Sequence, residues 1–166
     1  MSETSLCDRE IITINMVHKV HIEGFWPAKA RTSLPDIPGI YFVFRCVFGP
    51  SAKAVEVKEL LYIGKAEDQS IRERVSNHEK NNLFAAACKT GEDIGYAYAE
   101  VDPQNLDLIE NALVFAEQPP LNNELKDRFN HGEAFIRTSG YNLEFKHKYF
   151  FVKDDDIADI DEDVEE

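Results

Sequence analysis

The chain reads as an α+β domain built on a small central three-stranded antiparallel sheet flanked by helices, with accessory strands at either end. Three observations predict it. Short runs rich in Ile, Val and aromatic residues alternate with segments of helical spacing. The first two central strands, 40–48 and 55–63, are close enough in sequence for a hairpin. Proline and glycine punctuate the chain between these elements rather than within them.

Taken in order, residues 1–10 are polar and frayed, and "IITINMVHKVHIEGFW" (11–26) has the partial alternation of a strand. "PAKARTSLPDIPG" is a loop, marked by Pro27, Pro35, Pro38 and Gly39. Strand 40–48 follows, "FGPSAKA" turns the chain, and 55–63 returns. Ser70-Ile71-Arg72-Glu73 fits a capping box, with Asp68 as a competing cap, and opens a helix expected to run to about Lys80. "NLFAAACK" is a second helical piece, and "IGYAYAEV" (94–101) is the third central strand. Asp102-Pro103 supplies a cap and a first-turn proline for a helix over 103–117, which Pro119-Pro120 stops. "AFIRTS" and "KYFFV" flank Gly140 as an accessory hairpin. The expected organisation is an N-terminal extension (1–34), a core domain (35–124), an accessory segment packed on it (125–152) and an acidic disordered tail (153–166).

Composition narrows the functional classes. At 166 residues, with 43% hydrophobic and 30% charged residues, the chain suits one globular domain. No apolar stretch reaches the roughly 20 residues of a membrane span, and "MSETSLCDRE" is neither a signal nor a transit peptide. Cys7, Cys46 and Cys88 are scattered, which indicates neither a disulfide framework nor a zinc site. A reducing, cytoplasmic setting is therefore expected, with no membrane partner. The net charge is −13, of which residues 153–166 carry −8 and the remaining 152 carry −5. That balance argues against non-specific binding to phosphate polymers.

The candidate chemistry sits where tyrosine and glycine come together. In "PGIYFVFR" the period of two puts Ile40, Phe42 and Phe44 on one face and Tyr41, Val43 and Arg45 on the other. "LLYIGKA" ends its strand with Tyr62 before Gly64, where glycine permits a close backbone approach. Two such phenols could present their hydroxyls to one pocket, although a single tyrosine with its hydroxyl at a core rim is the commoner case. On the following helix Ile71 and Val75 form the apolar stripe, with Arg74 and His78 on its flank. An arginine fork there suits a phosphate, although a snorkelling arginine beside a satisfied histidine is the ordinary alternative. Glu110 falls in a row with Leu106 and Val114, beside Ile109 and Leu113. A carboxylate among apolar neighbours requires a paired charge, a metal or an outlet to water.

"GIY" (39–41), "YIG" (62–64), Arg74, His78, Glu110 and "PPLN" ending at Asn122 occur in one order and spacing. From about Pro35 to Asn123 the chain resembles the GIY-YIG nuclease family. Both tripeptides are intact, Gly64-Lys65-Ala66 follows, and a glutamate opens "ENAL". The resemblance implies a metal-dependent endonuclease that hydrolyses phosphodiester bonds in DNA. Glu110 would bind a single divalent cation, Mg²⁺ or Mn²⁺, and Arg74 would stabilise charge on the phosphate. Tyr41 would act as general base or orienting group, assisted by Tyr62, His78 or Lys65. Asn122 would anchor the site, and Gly39 and Gly64 would give it room. The chain departs from the pattern in carrying no basic DNA-binding segment: residues 53–89 hold seven Lys/Arg against six Asp/Glu. A partner chain could supply the grip on DNA. The competing reading, from another class, is an acidic binding or inhibitory module on the same scaffold.

Overall fold

A computed structural model of the chain describes residues 16–50 and 54–161. Seven strands form one mixed sheet: β1 (Val17–Pro27), β2 (Gly39–Phe48), β3 (Val55–Ala66), β4 (Asp93–Glu100), β5 (Glu133–Gly140), β6 (Tyr149–Lys153) and β7 (Asp156–Asp159). Helices α1 (Ile71–Ser76) and α2 (Asn81–Ala87) follow β3, and α3 (Leu106–Glu117) follows β4 after a short 3₁₀ turn, Pro103–Asn105.

The order across the sheet is β3-β2-β4-β1-β5-β6-β7. The three strands expected as the centre, β2, β3 and β4, are adjacent and antiparallel. They are not the whole sheet, and this corrects the expected fold class. The sheet is a curled, seven-stranded half-barrel with few helices rather than three strands flanked by them. The extension comes from β1. Its second half closes the open edge of β4, with Glu23 opposite Tyr98 and Pro27 opposite Gly95. Its first half pairs in parallel with β5, from Val17 opposite Phe135 to Ile22 opposite Gly140. An unpaired strand edge exposes a row of backbone donors and acceptors, so a strand that covers it becomes part of the sheet rather than an accessory. β5 and β6 form the expected antiparallel pair.

β7 pairs antiparallel with β6, so the acidic stretch expected to be disordered from 153 is strand through Asp159. Cross-strand pairing at Lys153 opposite Asp156 offsets some of the like-charge repulsion. Residues 162–166 lie outside the described residues, as do the expected frayed start, Cys7 and the first part, 11–15, of the expected N-terminal strand. The loop expected over 27–39 contains a 3₁₀ turn at Ala28–Ser33.

The alternation in β2 is realised on two cores. Ile40, Phe42 and Phe44 join Val20, Ile22, Ile63, Ile136 and Phe150 around α3, which contributes Leu106, Ile109, Leu113 and Val114. Tyr41 and Val43 join Leu61, Tyr96, Ile71, Val75 and Phe84 beneath α1 and α2. Two buried polar side chains of α3 tie down the chain beyond it. Asn111 donates to the carbonyls of Leu125 and Arg128 and accepts from the Asn130 amide. Glu117, 4% exposed, accepts the amides of Lys146 and His147 at 2.7 and 2.8 Å. Burial pushes the Glu117 carboxyl up, and those two N–H groups oppose the shift.

Candidate functional site

The site lies at the outer edge of β3, where α1, the α1–α2 turn and α3 meet. Tyr41 stands opposite Gly64 in the β2–β3 register. A Cβ at residue 64 would land inside the Tyr41 ring, so this glycine is what lets the phenol lie flat across the neighbouring strand. Gly39 has a similar packing reason, because a Cβ there would run into the Ala99 carbonyl and press on Ile71. The two glycines therefore make room for the protein's own side chains.

Asn122 fixes the strand between the two motif residues. Its amide accepts from the Ile63 N–H at 3.0 Å and donates to the Ile63 carbonyl at 2.8 Å. The Leu121 amide donates to the Leu61 carbonyl at 3.0 Å. β3 is an edge strand, and these bonds satisfy outward-facing groups that a neighbouring strand would otherwise take. Tyr62 and Gly64 are thus held from both sides of Ile63.

The phenols of Tyr41 and Tyr62 stack with centroids 6.1 Å apart. His78 packs edge-on against both rings, at 5.7 and 5.2 Å, with Phe84 behind it at 5.1 Å. Tyr41 is 1% exposed. Burial, then the neighbouring Tyr62, push its pKa far up, and burial also raises Tyr62. Both phenols keep their protons near neutrality, which suits hydrogen-bond donation and orientation rather than proton abstraction.

His78 does not lie on a helix. α1 opens as expected, with the Ser70 hydroxyl accepting the Glu73 amide at 3.1 Å, but it ends at Ser76 rather than near Lys80. The reason is local: His78 Nδ1 accepts the Lys80 amide at 3.0 Å, and its carbonyl accepts the Asn81 amide. A side chain that bonds the backbone two residues on competes with the helical ladder. Burial, followed by the charge of Arg74, lowers the His78 pKa to about 4, so the ring is neutral at pH 7. With Nδ1 already accepting, the ring proton sits on Nε2, which is buried and has no hydrogen-bond partner.

Arg74, in the last turn of α1, acts electrostatically on both phenols. Its guanidinium forms a two-pronged pair with Glu79, at 2.8 and 3.1 Å. Arg74's hydrogen bonds hold the Glu79 carboxyl at about 2. Glu110 and Tyr62 line one cleft of about 250 Å³ together with Glu79, Lys80, Asn122 and Glu124. Burial raises the Glu110 carboxyl to about 7; Lys65 opposes this, while Asp107, Glu124 and Glu67 add to it. Lys65 itself is tied to Asp107 and Glu67. Burial disfavours its charge, but those two carboxylates more than reverse the effect and its pKa rises. An ammonium so held is no proton acceptor.

The side chains expected for the site therefore fall into three groups. Tyr41, Tyr62 and His78 are in ring contact, and the charges of Arg74 and Glu110 act on both phenols in opposite directions. Asn122, Gly39 and Gly64 are structural supports. Lys65 is committed to Asp107 and Glu67. Sequence reasoning missed Glu79 and Lys80. Lys80 Nζ lies 4.9 Å from the centre of the Tyr62 ring and donates to the Leu121 carbonyl at 2.9 Å.

Among the described residues, no group of three or more His, Cys, Asp or Glu could cage a metal ion. The cleft nevertheless fits a largely hydrated divalent cation. One half-buried carboxylate, pushed toward its neutral form by burial and then by three carboxylate neighbours, is a donor that gains from a cation beside it. No helix among the described residues is long and apolar enough to cross a membrane. No protein-family model matches the chain, and no curated protein or solved structure matches it either.

Proposed function

We propose that this chain is a divalent-metal-dependent nuclease of the GIY-YIG type, hydrolysing phosphodiester bonds in DNA. The observation that carries this reading is convergence. Tyr41 from β2, Tyr62 from β3 and His78 from the turn are in mutual ring contact, Arg74 from α1 and Glu110 from α3 are the charges that act on both phenols, and Tyr62 and Glu110 line one cleft. Nothing in core packing alone requires two phenols, a guanidinium and a half-buried carboxylate to meet.

In this reading Glu110 holds a Mg²⁺ or Mn²⁺ ion, which supplies Lewis acidity at the scissile phosphate when bound. The chain's own groups do the rest. Arg74 offers paired donors to the phosphate and stabilises the charge that develops on it. Of the stacked, protonated phenols, Tyr62 lines the cleft and orients the phosphate or the attacking water, with the buried Tyr41 ring behind it. His78 walls the phenols from the side and keeps a donor at Nε2. Lys65 limits how far the carboxylate cluster raises Glu110. Asn122 holds the strand on which Tyr62 stands. Grip on the substrate is the weak element, since Glu79, Glu110 and Glu124 all face the cleft. DNA would be held at low salt or with the help of a partner chain.

The test is incubation of the full chain with supercoiled plasmid and with single-stranded DNA at low salt, with Mg²⁺, Mn²⁺ or EDTA. Cation-dependent nicking that disappears in Glu110→Ala, and falls at least about 100-fold in Arg74→Ala, supports the proposal. No cleavage of either substrate with either cation overturns it and leaves the acidic binding module as the better account.

A further inference from the structure

The Arg74 fork is already engaged. Glu79 places its two carboxylate oxygens 2.8 and 3.1 Å from two different guanidinium nitrogens, the geometry with which an arginine grips two oxygens of a phosphate. Glu79 also lines the cleft that holds Tyr62 and Glu110. We infer that Glu79 is a built-in stand-in for the substrate phosphate: a tethered carboxylate that occupies Arg74 until a phosphodiester displaces it. The inference rests on the reading of Arg74 as the phosphate-binding group, and it adds a residue that sets how tightly substrate is held.

Three features make the exchange feasible. The Glu79 side chain is 66% exposed whereas that of Arg74 is 22% exposed, so the carboxylate can swing into water while the guanidinium stays at the site. Glu79 sits in the turn after α1, outside any helix, and besides Arg74 its carboxylate meets its own backbone amide. His78, its nearest other cation candidate at 3.8 Å, is neutral and too far for a hydrogen bond. The exchange swaps one bidentate anion for another, so Arg74 is never left unpaired beside the buried phenols. Displacement lowers substrate affinity by the worth of an exposed, well-aligned ion pair, about fivefold.

The experiment measures binding without turnover. A fluorescein-labelled DNA oligonucleotide is titrated in EDTA with wild type, Glu79→Gln, Glu73→Gln, Arg74→Ala and the Arg74→Ala/Glu79→Gln double variant. In parallel, inorganic phosphate is titrated while the Arg74 Nε–H resonance is followed by NMR. Glu73→Gln controls for overall charge, since it removes one exposed carboxylate of the same helical region. Expected results are about fivefold tighter DNA binding for Glu79→Gln, a smaller change for Glu73→Gln, and no gain from Glu79→Gln once Arg74 is gone. The Arg74 resonance should move at about fivefold lower phosphate in Glu79→Gln than in wild type. Equal gains from the two glutamine variants, or a gain that survives Arg74→Ala, overturn the inference. An Arg74 resonance that ignores phosphate in both proteins overturns it as well. If no variant binds DNA in EDTA while phosphate still reaches Arg74 more readily in Glu79→Gln, the stand-in holds, and the nuclease reading stands or falls on the cation-dependent cleavage assay.

Discussion

The two faces of the sheet around β2 differ in kind. Toward α3 the strands present Ile40, Phe42, Phe44 and Ile63, and the buried set there contains no tyrosine. Toward α1 and α2 the same strands present Tyr41 and Val43, and the buried set takes in Tyr96, with Tyr62, Tyr98 and Trp26 packed on it. One residue's step along β2 passes from a core without tyrosine to a stack of phenols around a neutral histidine. A side chain that only fills space has no use for a hydroxyl, whereas one that must orient a reactant needs a rigid ring with a polar tip. The first face accounts for stability, and the second concentrates the groups that could do chemistry.

That division can be broken at its two extremes. Glu110→Ala should abolish cation-dependent cleavage without lowering the melting temperature, because the side chain stands at the rim of the α3 core and its buried charge is a cost to the fold. Phe42→Ala, one residue from Tyr41 but fully buried on the other face, should cost about 3–5 kcal/mol of stability. Thermal melts and plasmid nicking on the two variants check this together. A Glu110→Ala protein that melts as early as Phe42→Ala would mean that the carboxylate is a structural group.

A second variant tests the joint between the faces. Asn122→Ala leaves the N–H and carbonyl of Ile63 without partners, and Ile63 is buried on the α3 side while its neighbours Tyr62 and Gly64 form the site. Each lost partner of a buried backbone group costs about 1–3 kcal/mol, so a loss of about 2–4 kcal/mol is expected by chemical denaturation. Activity should fall in the protein that remains folded. If stability drops and the folded fraction cuts normally, Asn122 supports the core alone.

Gly64→Ala sharpens the comparison further. The added methyl has no space beside the Tyr41 ring, and overpacking of this kind costs about 1–3 kcal/mol. The ring must yield, so cleavage should fall by a larger factor than the same stability loss produces elsewhere. Leu60→Ala, on the α3 side of the same strand, is the matched control. Equal activity in the two variants at matched stability would remove Tyr41's position from the requirements for function.

What the sequence disclosed follows the same physical line. Alternation made the two faces of β2 legible, because side-chain direction in a strand is set locally. The start of α1 was legible for the same reason: Ser70 and Glu73 are three residues apart and cap one another's neighbourhood. The end of α1 was not, since it depends on His78 turning its Nδ1 to the Lys80 amide. The Arg74–Glu79 pair escaped notice because a five-residue spacing is not a helical neighbour; the two meet only because the helix stops between them. The seven-stranded sheet was hidden for a larger reason. Val17 and Phe135 are paired across most of the chain, and a strand pattern says what a strand is, not which edge it will cover.

The smallest effect concerns the one group that belongs to both regions. Glu110 is on the helix that packs the apolar core, and burial with its carboxylate neighbours raises it to about 7 in the folded chain. In the unfolded chain it titrates near 4.3. Below that pH both states are protonated and the group contributes its full share to stability. As pH rises from about 4.3 to 7 the unfolded state gives up its proton first, so stability is lost, and above 7 the penalty is constant. Glu110→Gln stays neutral throughout. In EDTA its melting temperature should match wild type near pH 4 and exceed it by several degrees, about 5 °C or more, at pH 8. Adding Mg²⁺ at pH 8 should then raise wild type toward the variant and leave the variant where it was, since a ligand that binds only the folded state stabilises it. A Mg²⁺ shift of equal size in both proteins would place the ion somewhere other than Glu110.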